Sequence, residues 1–293
     1  KMSGVTVVSS VDRQSTIPSG TSAQDSSVLD MWGPGAEITP FGSTINIVQI
    51  LKLQDNLSEW DAHAATQLAA FKVAVRLVEA TRDVNPETVE VFELSEVDPS
   101  LPRVVYIMSF CTLRTAPHSS MGYYGLPVRD SQPSLIHPNE LFDGALTQDA
   151  RRGSGGYITD WAFMNHPMVI KLFKKHGKTL NFLGIIMEST DSPTEDGKQT
   201  QAMATAQTAR ILGADDAIIT RISVGGSSFI EVMLTVQACV RKGIKTVLMV
   251  PEWGGLEGTD IPFVFYVPEA MAVVSTGSFE RKLELPAPAK VIG

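Results

Sequence analysis

Hydrophobic and polar positions divide the chain into two halves with different rhythms. From Pro167 onward, continuous apolar runs alternate with stretches of helical period. Leu180–Met187 (LNFLGIIM), Asp216–Ile222 and Ile244–Val250 lack the period-2 polarity of a half-exposed strand, so they predict strands buried on both faces. Helices are predicted over Pro167–Lys175, with proline at the first turn, over Gln199–Leu212 and over Ser227–Lys242. A shorter strand around Met271–Ser275 follows. Such strands, separated by helices, give a parallel sheet covered on both sides, so the fold class is α/β with a Rossmann-like domain over residues 161–293.

The first half reads as a mixed α/β region over residues 1–160. Val5–Val8 is a short β-type run, and 14–27 reads as a loop or an edge hairpin. Two glycines around a proline in Met31–Phe41 (MWGPGAEITPF) force an irregular turn. The apolar, β-branched Thr44–Leu53 predicts a buried strand. Asn56–Asp83 predicts a long helix, with Ser58 and Asp61 spaced as a capping box and Asn85-Pro86 as the stop. Val89–Leu94 and Arg103–Phe110 read as strands. Cys111–Gln132 and Asp143–Thr159 are long, polar and rich in glycine or proline, which predicts functional or partner-facing loops.

Composition narrows the function classes. Of 293 residues, 43% are hydrophobic, enough for a core without staples, and the net charge of −8 argues against a phosphate-backbone binder, which would need a basic face. The two cysteines, Cys111 and Cys239, form neither a disulfide framework nor a zinc pattern, so a reduced, cytoplasmic setting is expected. No apolar run reaches membrane-spanning length, and 1–10 lacks a signal-peptide layout.

In an open parallel sheet, ligands bind beyond the carboxyl ends of the strands. Three loops fall there: Glu188–Lys198, Arg221–Ser228 and Pro251–Asp260. In the middle one, Gly225, Gly226, Ser227 and Ser228 open a helix, so backbone N–H groups, two hydroxyls and the cation of Arg221 converge at a positive dipole end. That combination suits a carboxylate or phosphate; the alternative is a plain turn with a serine cap. G-x-G-x-x-G, the P-loop and Gly-x-Ser-x-Gly are all absent, and no histidine follows His176 to complete a hydrolase triad. None of the five histidines, His63, His118, His137, His166 and His176, has metal-ligand spacing, so no metal is expected. Glu37 and Glu252 lie in glycine-rich turns beside strands, as acid–base carboxylates or as solvated turn residues.

Four blocks carry a family signature: Gly33–Leu53 (GPGAEITPFGSTINIVQILKL), Leu135–Ala145 (LIHPNELFDGA), Met164–Gly184 (MNHPMVIKLFKKHGKTLNFLG) and Gly243–Gly255 (GIKTVLMVPEWGG). They resemble the component B α/β-type subunit of glycine, sarcosine and betaine reductases, with the D-proline reductase proprotein a more distant relative. The resemblance runs from about Val5 to Ser275. It implies an enzyme subunit that binds a small amino acid or betaine and takes part in reductive C–N cleavage, in a hetero-oligomer with a partner carrying cysteine or selenocysteine. In that family an internal cysteine becomes a pyruvoyl group. Here the corresponding segment, LTQDARRGSGGYITDWAF, has no cysteine and places Arg151 near the expected position, so no cofactor is expected. Relative to the proproteins, the resemblance also implies a chain lacking an N-terminal portion and a C-terminal tail.

Three readings follow. The first is a two-component enzyme subunit acting on a small polar or carboxylated substrate without a pyruvoyl group. The others are redox-neutral hydrolysis, hydration or elimination on the same scaffold, and a non-catalytic subunit that positions its partner. The expected site places Glu252, His63 and Glu37 in catalytic roles, with Arg221, Gly225, Gly226, Ser227, Ser228 and Glu188 binding substrate. Glu37 and His63 enter because they fall on positions resembling family-matching blocks.

Overall fold

The computed structural model describes residues 2–12, 29–110, 121–128, 131–148, 159–221, 226–252, 254–255, 257, 260, 262–278 and 284–287. The chain forms two compact units. One comprises Lys1–Val89, Asp149–Ser154 and Lys282–Gly293; the other comprises Glu90–Gln148 and Gly155–Arg281.

In the first unit, β1 (Val5–Val11) and β2 (Ile45–Leu51) pair in parallel, Val5 opposite Ile45 through Val11 opposite Leu51. Thr6 donates to Thr44 at 2.9 Å beside the start of this ladder. Helix α1 (Glu59–Ala80) starts at Ser58, whose side chain accepts from the Asp61 amide, as the capping pattern required. The strand expected over 44–53 forms, but it is not buried: Ile45 and Ile50 are 70% and 68% exposed. A two-stranded ladder with a helix on one side covers only one face. Between the strands, Asp30 accepts from the amides of Gly33 and Gly35, and two short 3₁₀ turns, Pro34–Ile38 and Pro40–Ser43, follow. Gly42 is required here, since a Cβ would stand 2.4 Å from the Ala36 carbonyl oxygen.

The second unit is built on a six-stranded sheet. Its strands are β3 (Arg103–Phe110), β6 (Ser134–Ile136), β8 (Asn181–Ser189), β9 (Asp216–Arg221), β10 (Lys245–Glu252) and β11 (Val273–Ser278), ordered β11-β10-β9-β3-β8-β6. All pairs are parallel except β6 with β8. A small antiparallel sheet of β4 (Met121–Tyr123), β5 (Leu126–Pro127) and β7 (Leu146–Gln148) lies within stretches the sequence had suggested were loops. Three-residue strands carry too little periodicity to be read locally.

The helices cover both faces, as continuous apolar strands demand. On one face α5 (Glu195–Ile211) and α6 (Gly226–Arg241) pack Ala206, Val232 and Val236 against Val105, Ile107 and Leu248. On the other, α2 (Pro138–Phe142), α3 (Asp160–Met164) and α4 (Pro167–Lys175) pack Leu141, Phe163 and Phe173 against Tyr106, Met108 and Ile185. The α/β class therefore holds, and one of the two central strands, β3, comes from the first half of the chain. Val89–Leu94 does not form a strand. It carries no regular structure, with Phe92 and Leu94 packed against the second cluster and the Phe92 carbonyl accepting from Asn139. Among the described residues no helix is long and apolar enough to cross a membrane.

Candidate functional site at the carboxyl edge of the sheet

Counted in chain order, the five parallel strands lie 2-1-3-4-5 across the sheet, with β3 first and β9 third. The chain leaves β3 for β8 through α4 on one face and leaves β9 through α6 on the other. Such a reversal opens a crevice outside the carboxyl ends of the two strands. Ser109 and Arg221 are register partners at that point.

Arg221 ends β9 and is 4% exposed. Its Nη2 donates to Ser228 Oγ at 2.5 Å, and its guanidinium carbon lies 5.5 Å from the centre of the Phe229 ring. Ser228 is buried, whereas Gly226 and Ser227 are exposed. The first turn of α6 thus has a buried side that grips Arg221 and an open side. Its leading amides have no acceptor within the helix. Gly225, like Trp253, lies outside the described residues.

Behind this turn, α6 carries Ser228, Glu231 and Thr235 on its buried side, spaced i, i+3 and i+7. Glu188 is fully buried near the end of β8. One carboxylate oxygen accepts from Ser109 at 2.6 Å, and the other from Thr205 at 2.9 Å and Thr235 at 2.5 Å. Burial pushes the Glu188 carboxyl up to about 7, against the pull of the three hydroxyls and with a further push from the Glu231 charge. Glu231, 1% exposed, accepts from the Ser192 amide at 3.0 Å and lies 3.5 Å from Lys198 Nζ. Burial raises its pKa too.

The opposite face holds a second polar chain. The Tyr106 hydroxyl lies 3.2 Å from His166 Nε2 and 2.5 Å from Thr220 Oγ1. Burial lowers the His166 pKa to about 4, so the ring is neutral at physiological pH. Its Nδ1 has no hydrogen-bond partner among the described residues. His176, by contrast, is structural: Nδ1 accepts from the Phe182 amide at 3.0 Å, and Nε2 lies 3.0 Å from the Ser95 carbonyl oxygen.

With this geometry, a profile of glycine/sarcosine/betaine reductase component B subunits matches residues 2–293. The chain belongs to this family. It is 31% identical over 282 residues to the betaine reductase complex component B subunit alpha of Peptoclostridium acidaminophilum, covering 91% of this chain and 62% of that protein. It is 30% identical over 272 residues to the glycine reductase complex component B subunits alpha and beta of Acetoanaerobium sticklandii, again 91% of this chain and 62% of the relative. The sarcosine reductase complex component B subunit alpha of P. acidaminophilum is 30% identical over 272 residues, 91% of this chain and 63% of that protein. The chain thus spans less than two thirds of the length of these relatives. No solved structure matches it.

Within this component B scaffold, the expected site residues fall in three places. Glu188, Arg221, Gly226, Ser227 and Ser228 gather around the carboxyl ends of β8, β3 and β9, with Ser109 between Glu188 and Arg221. Glu252 ends the neighbouring β10, half-buried and opposite Ser278. Glu37, exposed on its 3₁₀ turn, and His63, half-buried on α1, belong to the other unit. Sequence reasoning missed Glu231, Lys198, Thr205 and Thr235. The signal was present for one of them, since Glu231 is the sole charge within an otherwise apolar stretch, FIEVMLTV. Among the described residues no group of three or more metal-ligating side chains is placed to hold a metal ion.

Proposed function

We propose that the chain is the substrate-binding subunit of a two-component, reductase-type enzyme that cleaves a C–N or similar bond in a small polar or carboxylated substrate. The observation that carries the reading is the first turn of α6, exposed at Gly226 and Ser227 and anchored from beneath by Arg221 through Ser228. A helix N-terminus of sixteen residues presents partial positive charge and amide donors, which match a substrate carboxylate. Glu252, at the end of the next strand, offers a carboxylate toward which an ammonium group is drawn. Family membership, and relatives named for glycine, betaine and sarcosine, support an amine-bearing carboxylate as substrate.

In this scheme the C–N bond breaks as a bond forms from the carbon to a thiol or selenol on the partner subunit. The pyruvoyl group that the resemblance brings with it does not fit this chain. The stretch between β7 and the end of α3 supplies no cysteine from which to form one, and no step is derived through it.

Calorimetry of the full chain with glycine, sarcosine and betaine, followed by amine-release assays with and without the partner subunit, tests the reading. At least one of the three compounds should bind saturably. Arg221→Ala should weaken binding several-fold, because the turn loses its anchor at Ser228. Amine should appear only when both subunits are present. Turnover by the chain alone would sink the two-component scheme, and unchanged affinity in Arg221→Ala and Ser227→Ala would move the site elsewhere.

A further inference from the structure

We propose that Glu188 stores a proton in the resting protein and exchanges it with the carboxyl edge through the Ser109 hydroxyl. Four geometric facts carry this. First, Glu188 has no exposed surface, and the charged side chain acting on it is the Glu231 carboxylate, itself 1% exposed. Lys198 from α5 stands 3.5 Å from Glu231 and 2.5 Å from the Ser192 carbonyl oxygen, so this ammonium pairs with Glu231. Of two neighbouring carboxyls in a dry site, the one without an ion pair is the one that favours a proton. Arg221, the nearby cation on β9, is committed to Ser228 and the Phe229 face. Among the described residues the Cys239 thiol also faces this region; burial first and the Glu188 charge second hold it protonated, against a smaller pull from Lys242.

Second, the network accommodates both protonation states without moving an atom heavier than hydrogen. When Glu188 is ionised, Ser109, Thr205 and Thr235 all donate to it. When it is neutral, with the proton on the oxygen that faces Ser109, Thr205 and Thr235 still donate to the other oxygen and only the Ser109 hydroxyl turns, to accept from the acid. Third, the proton-bearing carboxyl oxygen is 2.6 Å from Ser109 Oγ, the separation of a strong charge-assisted hydrogen bond. Fourth, Ser109, itself fully buried, is the register neighbour of Arg221 and shares its sheet face, so its hydroxyl stands on the side of Glu188 nearer the α6 turn.

The transfer balances without a co-reactant beyond a base at the edge, such as water or a released amine. The Glu188 Oε2–H bond breaks as a bond forms to Ser109 Oγ, and Ser109 passes its own proton to the base. This leaves the carboxylate accepting from all three hydroxyls. Glu188 acts through Ser109 and is therefore a positioning residue rather than a catalytic one. The inference goes beyond the proposed function, and its test requires no substrate.

Difference infrared spectroscopy of the full chain reads the neutral-acid carbonyl stretch directly. A band that is lost as pH rises through about 7 is expected, and it should be absent from Glu188→Gln. Thr235→Val removes a donor to the carboxylate and should move the midpoint up. Glu231→Gln removes the like charge and should move it down. Both keep the proposal testable if Glu188→Gln does not fold. Ser109→Ala should slow loss of the band after a pH jump by roughly tenfold or more, in keeping with a lost relay step. A spectrum without a neutral-acid band, or a band that survives Glu188→Gln, overturns the storage. Unchanged exchange kinetics in Ser109→Ala overturn the route. A protein that binds no amine yet shows these shifts would refute the proposed substrate and leave the proton store standing.

Discussion

Arg221 Nη2 donates to Ser228 Oγ at 2.5 Å, so the last residue of β9 is tied to the first turn of the helix that follows it. Both partners are buried, and a charge-assisted hydrogen bond in such a place costs more to lose than one in water. Ser228→Ala should therefore lower stability by about 1–3 kcal/mol, the penalty for stranding a buried charged donor. Chemical denaturation of both proteins measures it. Equal midpoints would mean that water replaces the serine.

The Glu188 carboxyl gives a pH-dependent stability of known sign. Its pKa rises from 4.5 unfolded to about 7 folded, so the native state binds more protons between those values. Its contribution is fully present below pH 4.5 and is lost as pH climbs through about 7. Glu188→Gln, a neutral isostere, should match the wild type below pH 4.5 and exceed it increasingly as pH climbs toward about 7. Melting curves across this range decide it; parallel curves would contradict the burial argument.

His166 has the opposite sign. Its ring falls from 6.5 unfolded to about 4 folded, so here the unfolded state binds the extra proton. Stability from this group rises with pH between 4 and 6.5. The two slopes oppose each other where their windows overlap, which predicts a flat wild-type profile in mild acid. His166→Gln should uncover a falling profile there, and Glu188→Gln a rising one. A double variant as flat as the wild type would close the cycle.

Arg103 and Asp215 form a bidentate pair at the amino edge, with Nη2–Oδ1 at 2.8 Å and Nε–Oδ2 at 3.0 Å. Hydrogen bonds from Arg103, side chain first and then backbone amide, hold the Asp215 carboxyl down at about 2. Its contribution is present above its ordinary 3.8 and is lost as pH falls toward 2. Asp215→Asn should melt below the wild type at neutral pH and converge with it in strong acid. The gap should be modest, because the pair is nearly half-exposed. An equal gap at all pH values would assign it to packing instead.

Much of the second unit was legible because its strands are apolar on both faces. LNFLGIIM can be nothing but a covered strand, and the glycine–serine run before FIEVML marks a helix start. Other features depend on distant partners. Phe92 and Leu94 are apolar and packed in the core, yet the edge position beside β8 is taken by Ser134–Ile136, a segment too short to announce itself. The β-branched Ile45–Leu51 was read as buried because composition reports what a strand is made of, not how many layers cover it. In the site, Arg221 and Ser227 were readable from topology, since strand ends and helix starts must meet at one edge. Thr205 and Thr235 were not, because a threonine inside a helix looks the same whether it faces solvent or a buried carboxylate.

The position of β3 has a consequence during synthesis. This strand is one of the two at the centre of the six-stranded sheet, but both of its neighbours, Asn181–Ser189 and Asp216–Arg221, leave the ribosome long after it does. Until then VVYIMSF has no partner on either edge. An unpaired, uncharged, β-branched segment of this kind is the sort that chaperones bind and that pairs wrongly with copies of itself. The nascent chain must shield its most hydrophobic strand while it waits, and its yield in cells should depend on how fast the remainder is translated.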